Sequence, residues 1–112
     1  MTDADPFETA RLELRRGSLI LAVLLQLRRE RHGYALRKAL SDIGIEIDEG
    51  ALYPMLRRLE GQGLLASQWR EEERRKKRFY LLSPQGEGVL NRLLAEWRAL
   101  GASLNTMIEE GV

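Results

Sequence analysis

The chain has 112 residues, 44% of them hydrophobic and 31% charged, which predicts one folded, helix-rich domain with little room for a catalytic domain beside it. It holds no cysteine, so disulfides, thiolate nucleophiles and cysteine-ligated metals are excluded, and a reducing cytoplasm is the expected compartment. A net charge of +1 supplies no bulk attraction for nucleic acid, so a role of that kind has to rest on segregated charge.

The first residues, Met1-Thr2-Asp3-Ala4-Asp5, are acidic and unlike a signal peptide. The longest apolar run, residues 19–25, is far below the roughly 18 residues that span a bilayer. An unexported protein without a membrane segment is expected. Asp5, Pro6 and Glu8 occupy the N-cap, first-turn and capping-box positions of a first helix running to about residue 28. Residues 19–27 are apolar on nearly every side, which predicts the central core helix. Gly17 interrupts it at about 1 kcal/mol relative to alanine, pointing to a kink or a close packing contact.

Beyond the polar stretch at 29–33, Tyr34, Leu36, Ala39, Leu40 and Ile43 recur at roughly helical spacing, and Gly44 ends a short second helix. Asp48-Glu49-Gly50 supplies cap and turn chemistry for a third helix over 51–60, with Pro54 expected in its first turn. Gly61-Gln62-Gly63 stops it. Residues 64–69 and 79–82 read as two strands of a hairpin flanking a charged loop. Ser83-Pro84 then opens a long amphipathic C-terminal helix.

Two short helices before a basic hairpin make a winged helix-turn-helix, a mainly α fold with a small β-hairpin. The expected organisation is a DNA-binding part over 1–83 and a dimerisation helix over 84–112. A domain this short buries a modest share of its surface, so pairing with a second copy is a natural way to finish the core.

The third helix presents Arg57 and Arg58 beside an apolar face, as a helix entering the major groove would, although solvated arginines on an ordinary amphipathic helix read the same way. The hairpin adds more. Arg74-Arg75-Lys76-Lys77-Arg78 is a run of five cations that repel one another in a free loop and that backbone phosphates would relieve. Glu71, Glu72 and Glu73 either screen that run or face away from it. In the last helix Leu90, Leu94, Trp97, Leu104 and Ile108 form one stripe, which packs on the domain's own core or docks on helix one of a second subunit. Trp97, one turn from Gly101, is either simple packing or the wall of an apolar slot for a flat ligand.

Arg15-Arg16-Gly17, His32-Gly33-Tyr34, Leu52-Tyr53-Pro54, Leu56-Arg57-Arg58-Leu59-Glu60 and Gly63-Leu64, followed by Lys77-Arg78-Phe79-Tyr80-Leu81-Leu82-Ser83 and Gly86, resemble in order and spacing the PadR family of bacterial repressors. The likeness covers roughly residues 12–100 and corresponds to the short form with one C-terminal helix. It implies a homodimer whose third helix and wing bind a palindromic operator in double-stranded DNA. Repression is then relieved by a small effector, often a phenolic acid or a drug-like aromatic. By position, Tyr53 and the start of the third helix contact DNA, Arg57 lies on the same face, and Arg75, Lys76, Lys77 and Arg78 of the cation run and Lys38 meet phosphates. Ala51 stands where the family usually has threonine or serine, so a side-chain hydrogen bond is lost there. Trp97, with Ser18, Leu19, Leu94 and Gly101 near it, corresponds to the wall of a cavity at the dimer centre; Gly101 replaces an acidic residue of the drug-sensing members.

Enzymatic catalysis finds no support in one histidine, no cysteine and no nucleotide-binding glycine loop. His32, alone in a polar turn, reads as a capping or packing residue, and neither metal nor cofactor is expected. The alternative function is a winged-helix protein-protein adaptor that does not bind DNA specifically, against which the cation run argues.

Overall fold

The computed structural model describes residues 5–111; the acidic positions 1–4 and residue 112 lie outside the described part. The element order is α1 (Pro6–Gln26), β1 (Arg31–His32), α2 (Gly33–Asp42), α3 (Glu49–Gly61), β2 (Leu65–Glu72), β3 (Arg75–Leu82) and α4 (Pro84–Glu109). The three strands form one antiparallel sheet in the order β1-β3-β2. This is the winged helix-turn-helix that the element order predicts, enlarged by one short strand.

Each helix starts at a capping side chain. Asp5 accepts from the Phe7 amide at the head of α1, and Ser83 accepts from the Gly86 amide at the head of α4, both ahead of the prolines. Asp48 accepts from Ala51 and so begins α3 at Glu49, two residues earlier than its apolar pattern suggests. Pro54 therefore sits in the second turn, not the first. The hydrogen bond it lacks would have gone to the carbonyl of Gly50, which is exposed and open to water. Helices α2 and α3 end alike: Ile45 N–H donates to Leu40 O at 2.9 Å and Leu64 N–H to Leu59 O at 3.0 Å. Gly44 (φ +86°) and Gly63 (φ +81°) between them take the left-handed conformation that this closure requires.

The core gathers Val23, Leu24 and Leu27 of α1, Leu36 and Leu40 of α2, Leu52, Leu56 and Leu59 of α3, Leu65, Tyr80 and Leu82 of the sheet, and Leu90 of α4. Residues 19–27 do form the central helix segment. Tyr34 and Ile43, grouped with the apolar face of α2 by spacing, are instead 67% and 61% exposed, because the face that α2 buries is centred on Leu36 and Leu40.

The largest difference from the sequence reading lies in the hairpin. The charged stretch 70–78 is not a loop: the ladder continues through it, pairing Arg70 with Lys77, Glu71 with Lys76 and Glu72 with Arg75. Only Glu73 and Arg74 form the turn, both at positive φ (53° and 65°). Opposite charges at Glu71–Lys76 and Glu72–Arg75 help strand pairing to extend beyond the apolar residues, past the like-charged pair Arg70–Lys77, whose Arg70 is met by Glu30. The polar stretch after α1 likewise contributes β1, whose Arg31 and His32 pair with Tyr80 and Phe79.

Glycine roles separate sharply. α1 runs unbroken through Gly17, and no atom stands within 4 Å of where its Cβ would lie, so the close contact expected there is not made within this chain. At Gly86 a Cβ would overlap the Leu64 carbonyl, since the first turn of α4 crosses the start of the wing backbone to backbone. Gly86→Ala is expected to lower unfolding stability by about 1–3 kcal/mol, and Gly17→Ala to raise it by up to about 1 kcal/mol. Urea titration of the two variants checks the contrast, and a neutral Gly86→Ala would remove the close-approach account.

Candidate nucleic-acid interface

α3 and the wing stand side by side and are fastened by side chains. Arg78 of β3 donates through Nη2 to Glu60 Oε1 of α3 at 3.1 Å and through Nε to Ser67 Oγ of β2 at 2.9 Å, while Ser67 donates to Glu60 Oε2 at 2.6 Å. On the other sheet face Arg70 meets Glu30 at 2.7 Å and lies 4.0 Å over the Phe79 ring, and Gln68 also donates to Glu30 at 3.2 Å. The hydrogen bond from Arg70 holds the Glu30 carboxyl below the usual carboxylate range. That tie is therefore present at neutral pH and is lost only as the pH falls through the lowered value. Two carboxylates thus grip the wing root from its two faces.

Between α3, the start of α2 and the wing lies an open groove of about 620 Å³. Tyr53, Arg57, Arg75, Lys76, Lys77 and Arg78 all line it, which brings six of the eight expected DNA contacts together. The cations differ in what they already hold. Arg78 is engaged by Glu60, and Lys77 meets Glu72 at 3.2 Å. Arg57, Arg74, Arg75 and Lys76 form no ion pair among the described residues, although Glu71 stands across the ladder from Lys76. Alternation along β3 sends Arg75 and Lys77 to one sheet face and Lys76 and Arg78 to the other, with Arg74 in the turn, so these four reach the groove from both sides of the β3 edge that the short β1 leaves unpaired.

The other two expected contacts lie elsewhere. Lys38 is exposed on α2 and shares a shallow depression with Arg37, Asp42 and Glu46. Ala51 is exposed in the first turn of α3, where its amide is taken by Asp48 Oδ1 at 2.8 Å. Glu49 sits in the same turn, held by Arg37 at 2.9 Å. The positive end of the α3 dipole is therefore occupied by the chain's own carboxylates, and the free cations belong to its middle and to the wing.

The motifs at 32–34 and 52–54 meet in space. The Tyr53 ring lies directly on Gly33, so closely that a Cβ there would overlap it. His32 caps α2 by accepting the Ala35 N–H on Nδ1 (3.4 Å), packs edge-on against Phe79 (ring centroids 5.3 Å apart) and sits 3.8 Å from Glu72, so its capping reading holds. Trp69 and Tyr34 also line the groove, 61% and 67% exposed; sequence reasoning named both in its elements but gave neither a role at the site. Period-two alternation from buried Leu65 through Ser67 places Trp69 on the α3 side of the sheet beyond the core, which is the signal that was available.

The residues expected around an effector lie on α1 and α4. Ser18 and Leu19 are half-buried on α1, Leu94 packs partly on the core, Trp97 is 51% exposed, and nothing stands within 4 Å of a Cβ at Gly101. Within one chain they flank open surface. No helix among the described residues is long and apolar enough to cross a membrane.

The family model described as the Transcriptional regulator PadR-like family matches residues 20–92. A transcriptional regulator of Mycobacterium tuberculosis is 43% identical over 61 residues, 54% of this chain and 57% of that protein, so the match spans little more than half of the relative's length. Among solved structures, a PadR family transcriptional regulator from Eggerthella lenta is 43% identical, superposes with a TM-score of 0.87 and is matched over 92% of each chain. A PadR-like transcription factor from Bacteroides fragilis gives 28% identity and a TM-score of 0.75 over 88% of this chain and 98% of its own.

The wing tip has its own test. A two-residue hairpin turn with positive φ at both positions favours Asn-Gly, whereas this chain places Glu73-Arg74 there, at a backbone cost of about 1 kcal/mol or more for each residue. Replacing the pair by Asn-Gly is expected to raise unfolding stability by roughly 1–2 kcal/mol, with circular dichroism during urea unfolding as the readout.

Proposed function

Because the chain belongs to the Transcriptional regulator PadR-like family, we propose that this DNA-binding regulator is a homodimeric repressor relieved by a small aromatic effector. It grips a palindromic operator with the α3 helix and wing of each protomer. The observation that carries this reading is the set of cations Arg57, Arg75 and Lys76, without an ion-pair partner among the described residues, lining one groove beside a helix that the fold leaves accessible. Such cations gain by displacing counterions condensed on DNA and need no special geometry to do so. Tyr53 and Ala51 face the major groove in this reading, Lys77 adds a phosphate contact from the wing, and Lys38 adds one from α2. Arg78 takes part while it orients the wing through Glu60. The bacterial cytoplasm, where the operator lies, is the working compartment.

Pairing is supported by the apolar surface of the long helices. Trp97, Leu100, Leu104, Met107 and Ile108 of α4 and Phe7, Leu12 and Leu14 of α1 are each at least 45% exposed. The α4 residues recur at three- and four-residue steps and so form one apolar stripe, which is seldom left in water. We assign residues 84–112 to pairing and residues 1–83 to DNA, with the first two turns of α4 anchored by buried Gly86 and Leu90. The effector position follows: Ser18, Leu19, Leu94, Trp97 and Gly101 would be enclosed once a second subunit covers them.

The purified protein is expected to bind the DNA upstream of its own gene tightly at low salt, with a steep loss of affinity as salt rises. Arg75→Ala with Lys76→Ala should flatten the plot of log affinity against log salt by about one unit for each phosphate contact removed. Absence of any preference over random DNA, with the double variant unchanged, would move the assignment to a protein-binding adaptor. Leu104→Glu is expected to give a monomer by light scattering and to weaken operator binding by at least about tenfold, since one half-site is then held alone.

A further inference from the structure

The exposed face of α3 is poor in hydrogen-bonding side chains. Leu52, Leu56 and Leu59 are buried. Gly50, Pro54, Arg57 and Gly61 are exposed and follow at four-, three- and four-residue steps, so they stand in one line down the outer face. Ala51 and Arg58, also exposed, border that line on one side. Tyr53 borders it on the other, where it lines the wing groove together with Arg57. Pro54 thus lies at the centre of the accessible arc, with one arginine to each side of it.

A recognition helix meets base edges with its N-terminal turns. The exposed positions there are Glu49, Gly50, Ala51 and Pro54, and none of their side chains donates a hydrogen bond. Guanine N7 and O6, adenine N7 and thymine O4 each require a donor. The amino groups of adenine and cytosine require an acceptor, and the two carboxylates of this turn are already engaged: Glu49 by Arg37 at 2.9 Å, Asp48 by the Ala51 amide at 2.8 Å. The Tyr53 hydroxyl is drawn aside over Gly33. What the turn offers is the Ala51 methyl and the Pro54 ring, beside a glycine that adds no bulk. The major-groove group that such a surface fits is the C5-methyl of thymine.

We propose that α3 selects its operator through thymine C5-methyl groups packed on Ala51 and Pro54, with Arg57 and Arg58 holding backbone phosphates on either side. The proposal rests on the DNA reading and adds what the helix reads. It gives Ala51 a specificity role through its methyl group, where a hydroxyl would have read a polar base edge.

The probe is the duplex upstream of the chain's own gene, cut to the segment that the full chain protects and prepared with thymidine or with deoxyuridine in its place. The exchange removes the C5-methyl and keeps base pairing and phosphates. Full replacement is expected to weaken binding by about fourfold for each contacted methyl, the worth of one buried carbon. Single replacements should map that loss to the same positions in both half-sites, and random duplex should bind equally with either base. In Ala51→Gly and Pro54→Ala the penalty at the facing position should disappear, since its partner is already gone. Both positions are exposed, alanine at 54 restores an amide to the helix, and circular dichroism verifies each fold. Arg75→Ala with Lys76→Ala should weaken binding but keep the penalty, as expected if the methyls meet α3 and not the wing. Equal affinity for the two forms of the protected segment would overturn the proposal and leave the DNA reading standing. A penalty undiminished in both α3 variants would also overturn it, assigning the methyls to another element. Absence of any protected segment would remove the DNA reading and this proposal together.

Discussion

The carboxylate of Glu60 is shared between an arginine on one strand of the wing and a serine on the other, and this three-way tie sets the angle between the hairpin and α3. A two-stranded hairpin is marginal by itself in water, and the outer half of this one has no apolar layer to hold it. Individual surface ion pairs contribute little. Here, however, the Glu60 tie on one face and the Glu30 tie on the other act at the same root, beside the short strand β1 and the core residues Phe79, Tyr80 and Leu82. The groove exists because these attachments fix its two walls. The assignment of this face to DNA depends on that fixed separation.

A second set of contacts links the wing root to α4. Ser83 donates its hydroxyl to the Gly63 carbonyl at 2.6 Å and receives the Gly86 amide at 2.9 Å, while its own amide bonds Leu64 at 3.0 Å. The absence of a side chain at Gly86 lets α4 lie on this junction, and Leu82 bonds back to Leu27 at the end of α1 at 2.8 Å. The two long helices that carry the exposed apolar stripe therefore join the hairpin where it leaves the core. A displacement of α4 against α1 has a direct, hydrogen-bonded route to the wing, with no mobile linker between them.

Much of this was legible in the amino-acid order because local chemistry marks element ends. Asp5, Ser83 and the glycines at 44 and 63 announced their caps and stops, and the apolar run at 19–27 announced the central helix. The cations around the groove were legible as well, since charge density is a composition signal. What was hidden depends on pairing at a distance. Strand extension through residues 70–78 requires knowing that Glu71 and Glu72 face Lys76 and Arg75, and β1 is too short to show any period. The restraint of Arg78 by Glu60 and the seat of Tyr53 on Gly33 arise only when segments far apart in sequence meet. Tyr34 and Ile43 were placed inside by a spacing rule that does not say where the buried arc of a helix stops.

The turn at Glu73-Arg74 also sets the order in which the wing assembles. A hairpin whose turn favours the left-handed pair nucleates there and closes towards its open end. This turn disfavours it, while the root is held by β1, Glu30 and Glu60, so the ladder closes from the base outward and opens from the tip inward. The amides nearest Arg74 therefore exchange with solvent sooner than those beside Tyr80. Arg74, Arg75 and Lys76, which form no ion pair among the described residues, sit on the part of the sheet that comes apart first and re-forms last.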